Sequence, residues 1–265
     1  MKLVAIDVDG TLLTSAHELT DATLGAVAAV RASGVEVVLA SSRGARMMTG
    51  ILRRLRLVEP AEFVAAQGAL TASVATDGGL RVVHEDAIPV SVAHELVSLA
   101  EGAGFITNWF HGLDWFVPRV DESVRRESAA VRSTAEVRDL LAVTVPPQKL
   151  MIVASPTRMA ALEAIAANLP RGLVAQTSGV GYLEITASGV DKGSAIARMC
   201  AVRGIAAADV VAIGDGRNDL GLFSFAGRSI AMANAAEFVR ERATSVTASN
   251  DEDGVASALM GLLDS

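Results

Sequence analysis

The chain opens with MKLVAIDVDGTLL (residues 1–13), in which a short apolar run, Leu3–Ile6, leads directly to Asp7 and Asp9. Such a run is typical of a strand that is buried on both faces of a sheet. Two like charges at the end of that strand repel each other, and desolvation makes each carboxylate harder to ionise. Because a bound cation or a chemical role is the usual reason for such a pair, the stretch predicts both a buried strand and a functional site at its end.

Composition places the chain among globular proteins, since 51% of its 265 residues are hydrophobic and 20% are charged. The formal net charge of -7 argues against nucleic acid as a main partner. A single cysteine, Cys200, excludes an intrachain disulfide and fits a reducing compartment. No apolar run approaches the roughly 20 residues of a membrane span. We therefore expect a cytoplasmic protein, a monomer or small homo-oligomer, that does not bind membranes.

Strand and helix patterns alternate in two separate parts of the chain. Apolar strands are predicted at Leu3–Ile6, 35–40 and 62–66, with helices between them, and the same alternation returns after residue 191. This alternation indicates a parallel sheet wrapped by helices. Neighbouring strands and a hairpin between residues 80 and 187 indicate an antiparallel α+β unit instead. The sequence thus predicts an α/β fold: a doubly wound, Rossmann-like parallel sheet from residues 1–79 and 188–265, and an inserted α+β domain at 80–187.

Four polar stretches lie where a predicted strand ends or a helix begins, at residues 7–11, 41–43, 191–193 and 214–219. Ligands of open parallel sheets bind outside the carboxyl ends of the strands, and helix N-termini there favour anions. Each stretch alone has a plain structural interpretation, as a turn, an N-cap, a surface lysine or a loop. Together they predict one site in which carboxylates suit Mg²⁺ and Lys192 neutralises a carboxylate or a phosphate.

The same stretches resemble a known superfamily. Asp7-Val8-Asp9-Gly10-Thr11, Lys192 and residues 214–219 (GDGRND) resemble the first, third and fourth motifs of the haloacid dehalogenase-like (HAD) phosphotransferases, and Ser41 stands at the second motif. The insert resembles the type IIB cap of the Cof-like phosphatases in size and position. Further similar stretches at 65–70, 182–193, 231–235 and 250–256 extend the resemblance over nearly the whole chain.

The resemblance implies a catalytic role for three residues. Asp7 would be the nucleophile that accepts the phosphoryl group as an aspartyl-phosphate. Asp9 would protonate the leaving oxygen and then activate water, a role that requires a pKa raised towards neutrality. Lys192 would bridge Asp7 and the phosphate and offset the developing charge.

The resemblance also implies the binding residues. Mg²⁺ would be held by Asp7, the backbone carbonyl of Asp9 and Asp215, with Asp219 supporting the metal through water or a second layer of contacts. The phosphate and substrate would be bound by Ser41, the Ser42 amide, Arg43, Lys192 and Asn218.

Several positions depart from the usual motifs. Ser41-Ser42-Arg43 replaces Thr-Gly-Arg, which keeps the hydroxyl but loses a glycine, and Gln67-Gly68-Ala69 replaces Asn-Gly-Ala on the substrate side. Arg217 occupies a variable position of the fourth motif, where we expect it to face solvent.

Three aromatic residues of the predicted hairpin, Trp109, His111 and Trp115, have two interpretations. They could line the substrate pocket, or the tryptophans could pack inside the insert while His111 lies in a turn.

These features favour a Mg²⁺-dependent phosphatase acting on a small phosphorylated metabolite, such as a sugar phosphate or a phosphorylated cofactor. A phosphosugar mutase with the same chemistry is an alternative. A phosphoacceptor signalling module also uses clustered aspartates, Mg²⁺ and lysine, but a general acid at Asp9 and a large insert argue against it.

Overall fold

The computed structural model describes residues 1–264, with the side chains of 177–179 left outside the description. The strands are β1 (Leu3–Ile6), β2 (Glu36–Leu39), β3 (Glu62–Ala65), β4 (Leu70–Val74), β5 (Leu80–Glu85), β6 (Thr107–His111), β7 (Asp114–Val117), β8 (Glu136–Val137), β9 (Lys149–Val153), β10 (Leu173–Gly179), β11 (Tyr182–Ala187), β12 (Val210–Gly214), β13 (Arg228–Ala231) and β14 (Ser245–Val246). The α-helices are α1 (Asp21–Ala32), α2 (Ala45–Arg54), α3 (Val90–Gly102), α4 (Glu122–Val131), α5 (Met159–Ala167), α6 (Lys192–Arg203), α7 (Leu220–Phe225), α8 (Glu237–Arg240) and α9 (Gly254–Leu263).

A parallel sheet in the order β14-β13-β12-β1-β2 carries the first and last parts of the chain. In register, Leu3 of β1 lies beside Val210 of β12 on one side and Glu36 of β2 on the other. The pairs of this sheet run parallel, so the carboxyl ends of its strands lie along one edge. The buried strand predicted from the opening residues is therefore an interior strand of the sheet, with β12 on one side and β2 on the other.

Both faces of β1 are covered, which explains its uninterrupted apolar sequence. Val4 and Ile6 belong to a core with residues of α1 and α9, such as Val27 and Leu259. On the opposite face, Leu3 and Ala5 pack with Ile196 of α6 and with residues of α7 and α8. Helices on both sides of a parallel sheet confirm the predicted doubly wound α/β fold.

A second sheet, in the order β10-β11-β9-β6-β7-β8, lies wholly within residues 107–187. Its pairs are antiparallel except β7 with β8. The predicted hairpin is present, with Trp109 opposite Phe116. Trp109 is completely buried in the core of this region, and the Nε1 of Trp115 donates to Asn108 Oδ1 at 3.0 Å. The tryptophans therefore pack inside the insert, as one of the two interpretations expected.

The third sheet, β3-β4-β5, differs from the prediction. β3 continues the parallel sheet only through a bridge between Ala40 and Val64, and it pairs with β4 in the antiparallel sense. β4 was not predicted from the sequence, because only four residues separate it from β3. β5 pairs with β4, so the boundary predicted at residue 80 precedes a strand that belongs with residues 62–74. The insert bounds of 80–187 stay a prediction.

Local bounds shift by a few residues. The predicted helix between the second and third strands spans Ala45–Arg54, and the last strand of the sheet spans only Ser245–Val246. Across residues 1–264, the helices lack the combination of length and apolar character that crossing a membrane requires.

Candidate active site

Asp7 and Asp9 lie where β1 ends, in a tight turn over Val8–Leu12. The backbone N–H of Asp7 donates to Ile213 O at 2.9 Å, which fixes the turn against β12. Gly10 has φ of 76°, and a Cβ there would lie 2.4 Å from Asp215 Oδ2. Glycine is required at this position because both the backbone angle and the close approach of Asp215 exclude a side chain.

Lys192 is the first residue of α6 and is completely buried. Its helix is capped by Asp191, whose Oδ1 accepts from the Ser194 N–H at 2.6 Å. The Lys192 ammonium donates to Asp7 Oδ1 at 2.5 Å and to Asp219 Oδ1 at 2.7 Å. The lysine thus neutralises two carboxylates at the end of the sheet, as its unfavourable place at a helix N-terminus suggested.

Asp219 also holds the loop that follows β12. Its Oδ2 accepts from the backbone N–H of Asp215 at 3.0 Å and of Gly216 at 2.9 Å. Thr11 donates its hydroxyl to Asp215 Oδ1 at 3.0 Å. These contacts set the position of the Asp215 carboxylate relative to the turn after β1.

Asp7, Asp215 and Asp219 each place one carboxylate oxygen within 4.8 Å of those of the other two. Burial, followed by the Asp219 charge, raises the pKa of Asp7 well above its ordinary value, although Lys192 opposes the shift. The same two causes raise the pKa of Asp215 to about 6. Three carboxylates around one ammonium have an excess of negative charge, and oxygen ligands suit a hard cation. The residues therefore fit Mg²⁺; a contribution from the Asp9 backbone carbonyl stays a prediction.

The Asp9 carboxylate is held by Arg43. Arg43 Nε donates to Asp9 Oδ2 at 2.8 Å, and a terminal guanidinium nitrogen donates to Oδ1 at 2.6 Å. Burial alone would raise the pKa of Asp9, but the hydrogen bonds and charge of Arg43 outweigh it and lower the pKa. The expectation of a raised pKa is wrong for this arrangement, because a bidentate guanidinium favours the ionised carboxylate.

The predicted phosphate-binding residues surround this cluster. Ser41 is fully buried, and its hydroxyl accepts from the Arg43 N–H at 3.1 Å. The Ser42 carbonyl accepts from Lys149 at 2.7 Å, and Asn218 donates its amide to Gln67 at 3.3 Å. The structure brings these residues to the same end of the sheet as Asp7, while their role towards phosphate stays a prediction. Arg43 contacts Asp9 instead of remaining free for an anion.

A cavity beside Asp9 and Arg43 is also lined by charged and aromatic residues of the insert. These residues are Phe110, Glu127, Lys149, Tyr182 and Glu184.

Lys149 Nζ lies 2.5 Å from Glu184 Oε2, and both side chains are only 3% exposed. Burial, followed by the charge of Glu127 and a hydrogen bond with it, raises the pKa of Tyr182 to about 12.

These cavity residues were not predicted from the sequence. A usable signal was present, since Lys149 and Glu184 are single charged residues within otherwise apolar strands, KLMIV and YLEITA. A charge inside a buried strand requires a partner. The partner could not be identified without the pairing of β9 and β11, which places Glu184 opposite Met151.

The remaining candidates lie elsewhere. His111 Nδ1 lies 2.8 Å from the Pro146 carbonyl and is not among the residues that line this cavity. Arg217 is exposed, as expected, and its guanidinium lies 4.6 Å from the centre of the Phe238 ring.

Residues 4–259 match the family described as haloacid dehalogenase-like hydrolase. The chain is 32% identical, over 99% of its length and 98% of the relative's, to a Bacillus subtilis (strain 168) protein provisionally named phosphatase YxeH. A crystal structure of a haloacid dehalogenase-like hydrolase from Bacteroides thetaiotaomicron is similar with a TM-score of 0.88 and 27% identity, covering 98% of this chain and 99% of that one. A HAD subclass IIB sugar phosphatase shares the fold, with a TM-score of 0.87 and 21% identity over 99% of both chains.

Proposed function

The chain belongs to the haloacid dehalogenase-like hydrolase family and is a phosphatase of its Cof type, and we propose that it hydrolyses a small phosphorylated metabolite through an aspartyl-phosphate on Asp7. The observation that carries the proposal is the buried contact of Lys192 with Asp7 and Asp219, beside Asp215. A carboxylate at this place is available as a nucleophile, and its neighbours can balance the charge of a phosphate.

In the first step, an Asp7 oxygen attacks phosphorus while the bond from phosphorus to the leaving oxygen breaks, and Asp9 supplies the proton that the leaving oxygen needs. In the second step, Asp9 removes a proton from water as the water attacks the aspartyl-phosphate, which releases phosphate and restores Asp7. Lys192 keeps its proton throughout, since the two carboxylates raise its pKa despite burial. It therefore remains a fixed positive charge beside the reacting oxygens.

Mg²⁺ held by Asp7 and Asp215, with Asp219 behind them, would supply the positive charge that the cluster lacks and would neutralise the phosphate. The contacts of Asp219 with both Lys192 and the 215–216 backbone support this arrangement, because they orient the ligands before any metal binds.

Arg43 has to divide its hydrogen bonds between Asp9 and the substrate. The bidentate pair holds the ionised form of Asp9. An incoming phosphate dianion competes for the same guanidinium, because Arg43 can bind either anion with its fork of donors. We expect the pair to loosen when substrate binds, which frees Asp9 to hold a proton near the leaving oxygen.

The cavity beside Asp9 supports a small and polar leaving group. Its walls offer the Lys149 ammonium, the Glu127 and Glu184 carboxylates and the Tyr182 hydroxyl, together with one side of Phe110. A wall that carries ammonium, carboxyl and hydroxyl groups suits a group rich in hydroxyls, such as a sugar, more than a long apolar chain. A sugar phosphate is therefore our first substrate class and a phosphorylated cofactor the second.

The test is the turnover of p-nitrophenyl phosphate by the purified protein, with Mg²⁺ and with EDTA. We expect hydrolysis only with Mg²⁺, and a loss of at least about 10⁴-fold in Asp7→Asn, the scale observed when a catalytic nucleophile is removed. Asp77→Asn is the matched control, because Asp77 is an exposed turn residue that accepts from the Gly79 N–H.

Equal turnover in EDTA would contradict the metal requirement, and normal turnover in Asp7→Asn would contradict the covalent step. Return of the phosphoryl group to a second position of a sugar, instead of to water, would favour the mutase alternative.

A further inference from the structure

The turn at Ala66–Gly68 has an unusual backbone. Its three residues have φ angles of 51°, 60° and 103° in succession, although only the last is glycine. Residues other than glycine rarely adopt positive φ, and they keep it only where the surrounding contacts hold them. Such strained residues cluster at ligand sites, so the turn calls for a functional explanation.

The turn is held by two of the stretches that form the active site. The Ala66 N–H donates to Arg43 O at 2.8 Å, and the Gln67 N–H donates to Ser41 O at 3.1 Å. Gly68 packs so closely against the start of α6 that a Cβ would lie 2.1 Å from Asp191 O. The turn is therefore fixed against both the 41–43 loop and the helix that carries Lys192.

The Gln67 side chain is completely buried within this frame. Its Oε1 accepts from Asn218 Nδ2 at 3.3 Å, which links it to a third stretch of the site. Its Nε2 has no hydrogen-bond acceptor among residues 1–264. A buried amide donor without an acceptor is costly, and such groups in folded proteins usually have a partner.

Another buried glutamine shows what a purely structural role looks like. Gln148 is 1% exposed, its Oε1 accepts from the Gly112 N–H at 2.7 Å, and its Nε2 donates to Glu85 Oε2 at 2.8 Å. Both ends of its amide are used, whereas Gln67 uses only the acceptor end.

We propose that Gln67 is a substrate-binding residue whose Nε2 donates to an anionic oxygen of the phosphoryl group, while its Oε1 orients the amide of Asn218. The proposal rests on the proposed function, because it requires a phosphoryl group beside Asp7, Ser41 and Asn218. A neutral amide donor suits this place, since it adds a hydrogen bond to the phosphate without another charge near Lys192.

The experiment compares Gln67→Glu, Gln67→Met and the control Gln148→Met. Three quantities are measured for each variant. Calorimetry gives the affinity for inorganic phosphate in the presence of Mg²⁺. Assays with p-nitrophenyl phosphate give kcat and KM, and thermal unfolding without ligand gives Tm. We expect phosphate affinity to fall about 10- to 100-fold in Gln67→Met. Gln67→Glu should lose more than Gln67→Met, because it directs a carboxylate at an anion. Gln148→Met should change Tm while its phosphate affinity stays within twofold of the wild type.

A merely structural role predicts the opposite order for the Gln67 variants. Glutamate has the shape of glutamine and keeps the acceptor for Asn218, so Gln67→Glu would then be milder than Gln67→Met. That order, or phosphate affinity within twofold of the wild type in both variants, would overturn the proposal. If Gln67→Glu does not fold, Gln67→Asn replaces it, since it withdraws the same amide by one carbon and should lose affinity as Gln67→Met does.

The two proposals fail in different ways. Phosphate binding is measured without turnover, so a wild type that binds phosphate but hydrolyses nothing would contradict the proposed function alone. A wild type that hydrolyses p-nitrophenyl phosphate while the Gln67 variants bind phosphate normally would contradict the role of Gln67 alone.

Discussion

Two buried lysines in this protein have different surroundings. Lys192, at the end of the parallel sheet, lies 2.5 Å from Asp7 and 2.7 Å from Asp219. Lys149, in the six-stranded sheet, lies 2.5 Å from Glu184, donates to the Ser42 carbonyl at 2.7 Å and lies 4.5 Å from the centre of the Phe110 ring. Both ammonium groups are removed from water, so each needs partners that compensate its burial.

The difference lies in the balance of charge. Lys149 forms an ion pair with Glu184 and contacts the 41–43 loop through the Ser42 carbonyl, and its charge also acts on the nearby Glu127. Lys192 shares its surroundings with Asp7, Asp219 and the nearby Asp215, so carboxyl groups outnumber it three to one. Lys149 therefore belongs to a structural ion pair, whereas Lys192 belongs to a site that needs another cation. Substitutions at the two lysines should therefore respond differently to Mg²⁺.

The largest effect is expected for Lys192→Met. The loss of the ammonium leaves two buried carboxylates without their partner, which costs about 3–5 kcal/mol of stability. It also removes a positive charge beside the reacting oxygens, so kcat/KM should fall at least about 10²- to 10³-fold. Urea unfolding and p-nitrophenyl phosphate assays measure both. Because Mg²⁺ can replace part of the missing charge, added Mg²⁺ should restore stability but not turnover. Wild-type turnover would show that Lys192 has no catalytic part.

Lys149→Met should be similarly destabilising, by about 3–5 kcal/mol, because it strands Glu184 in the interior. Here Mg²⁺ should give no recovery beyond its effect on the wild type. The double variant Lys149→Met/Glu184→Gln should recover part of the loss, since it removes both charges. Urea unfolding of the single and double variants measures the recovery. A specific rescue of Lys149→Met by Mg²⁺ would break the distinction between the two lysines.

Mg²⁺ alone should stabilise the wild type, because it binds the folded carboxylate cluster. The expected gain is about 2.7 kcal/mol when Mg²⁺ is at 100 times its Kd. Asp215→Asn should lose most of this gain, and Asp77→Asn should keep it. Thermal unfolding over a range of Mg²⁺ concentrations measures the effect; an equal gain in Asp215→Asn would place the bound cation elsewhere.

The smallest effect concerns Glu127 in the cavity wall. Burial raises its pKa above the ordinary 4.5, despite the nearby Lys149 charge. The folded state therefore binds its proton more tightly than the unfolded state, and stability falls as pH rises from about 4.5 through the raised value. Glu127→Gln removes this loss. Its Tm should exceed that of the wild type by about 1–3 °C above the raised pKa and match it below pH 4.5. A difference in Tm that does not change with pH would contradict this assignment.

The features of the fold that could be predicted from the sequence are those that depend on a local pattern of residues. The apolar run before Asp7 predicted β1. The alternation of strand and helix patterns in the first and last parts of the chain predicted a doubly wound sheet. The pairing of β5 was not predicted, because its hairpin partner β4 was itself not predicted from the sequence. The state of Asp9 was missed because it depends on where the side chain of Arg43, 34 positions further along the chain, lies in the folded protein.

The sequence by itself determined the buried strand β1, the class of fold, the family and the set of residues that meet at the carboxyl end of the sheet, because each follows from periodicity or from the order of the motifs. Only the tertiary structure decided how those residues pair. Asp7 and Lys192 are 185 positions apart, and their contact depends on the packing of α6 against the sheet. The same holds for the Lys149–Glu184 pair and for Gln67 Nε2, which has no acceptor among residues 1–264. Hydrogen bonds and desolvation act over a few ångströms, and those distances exist only after the chain has folded.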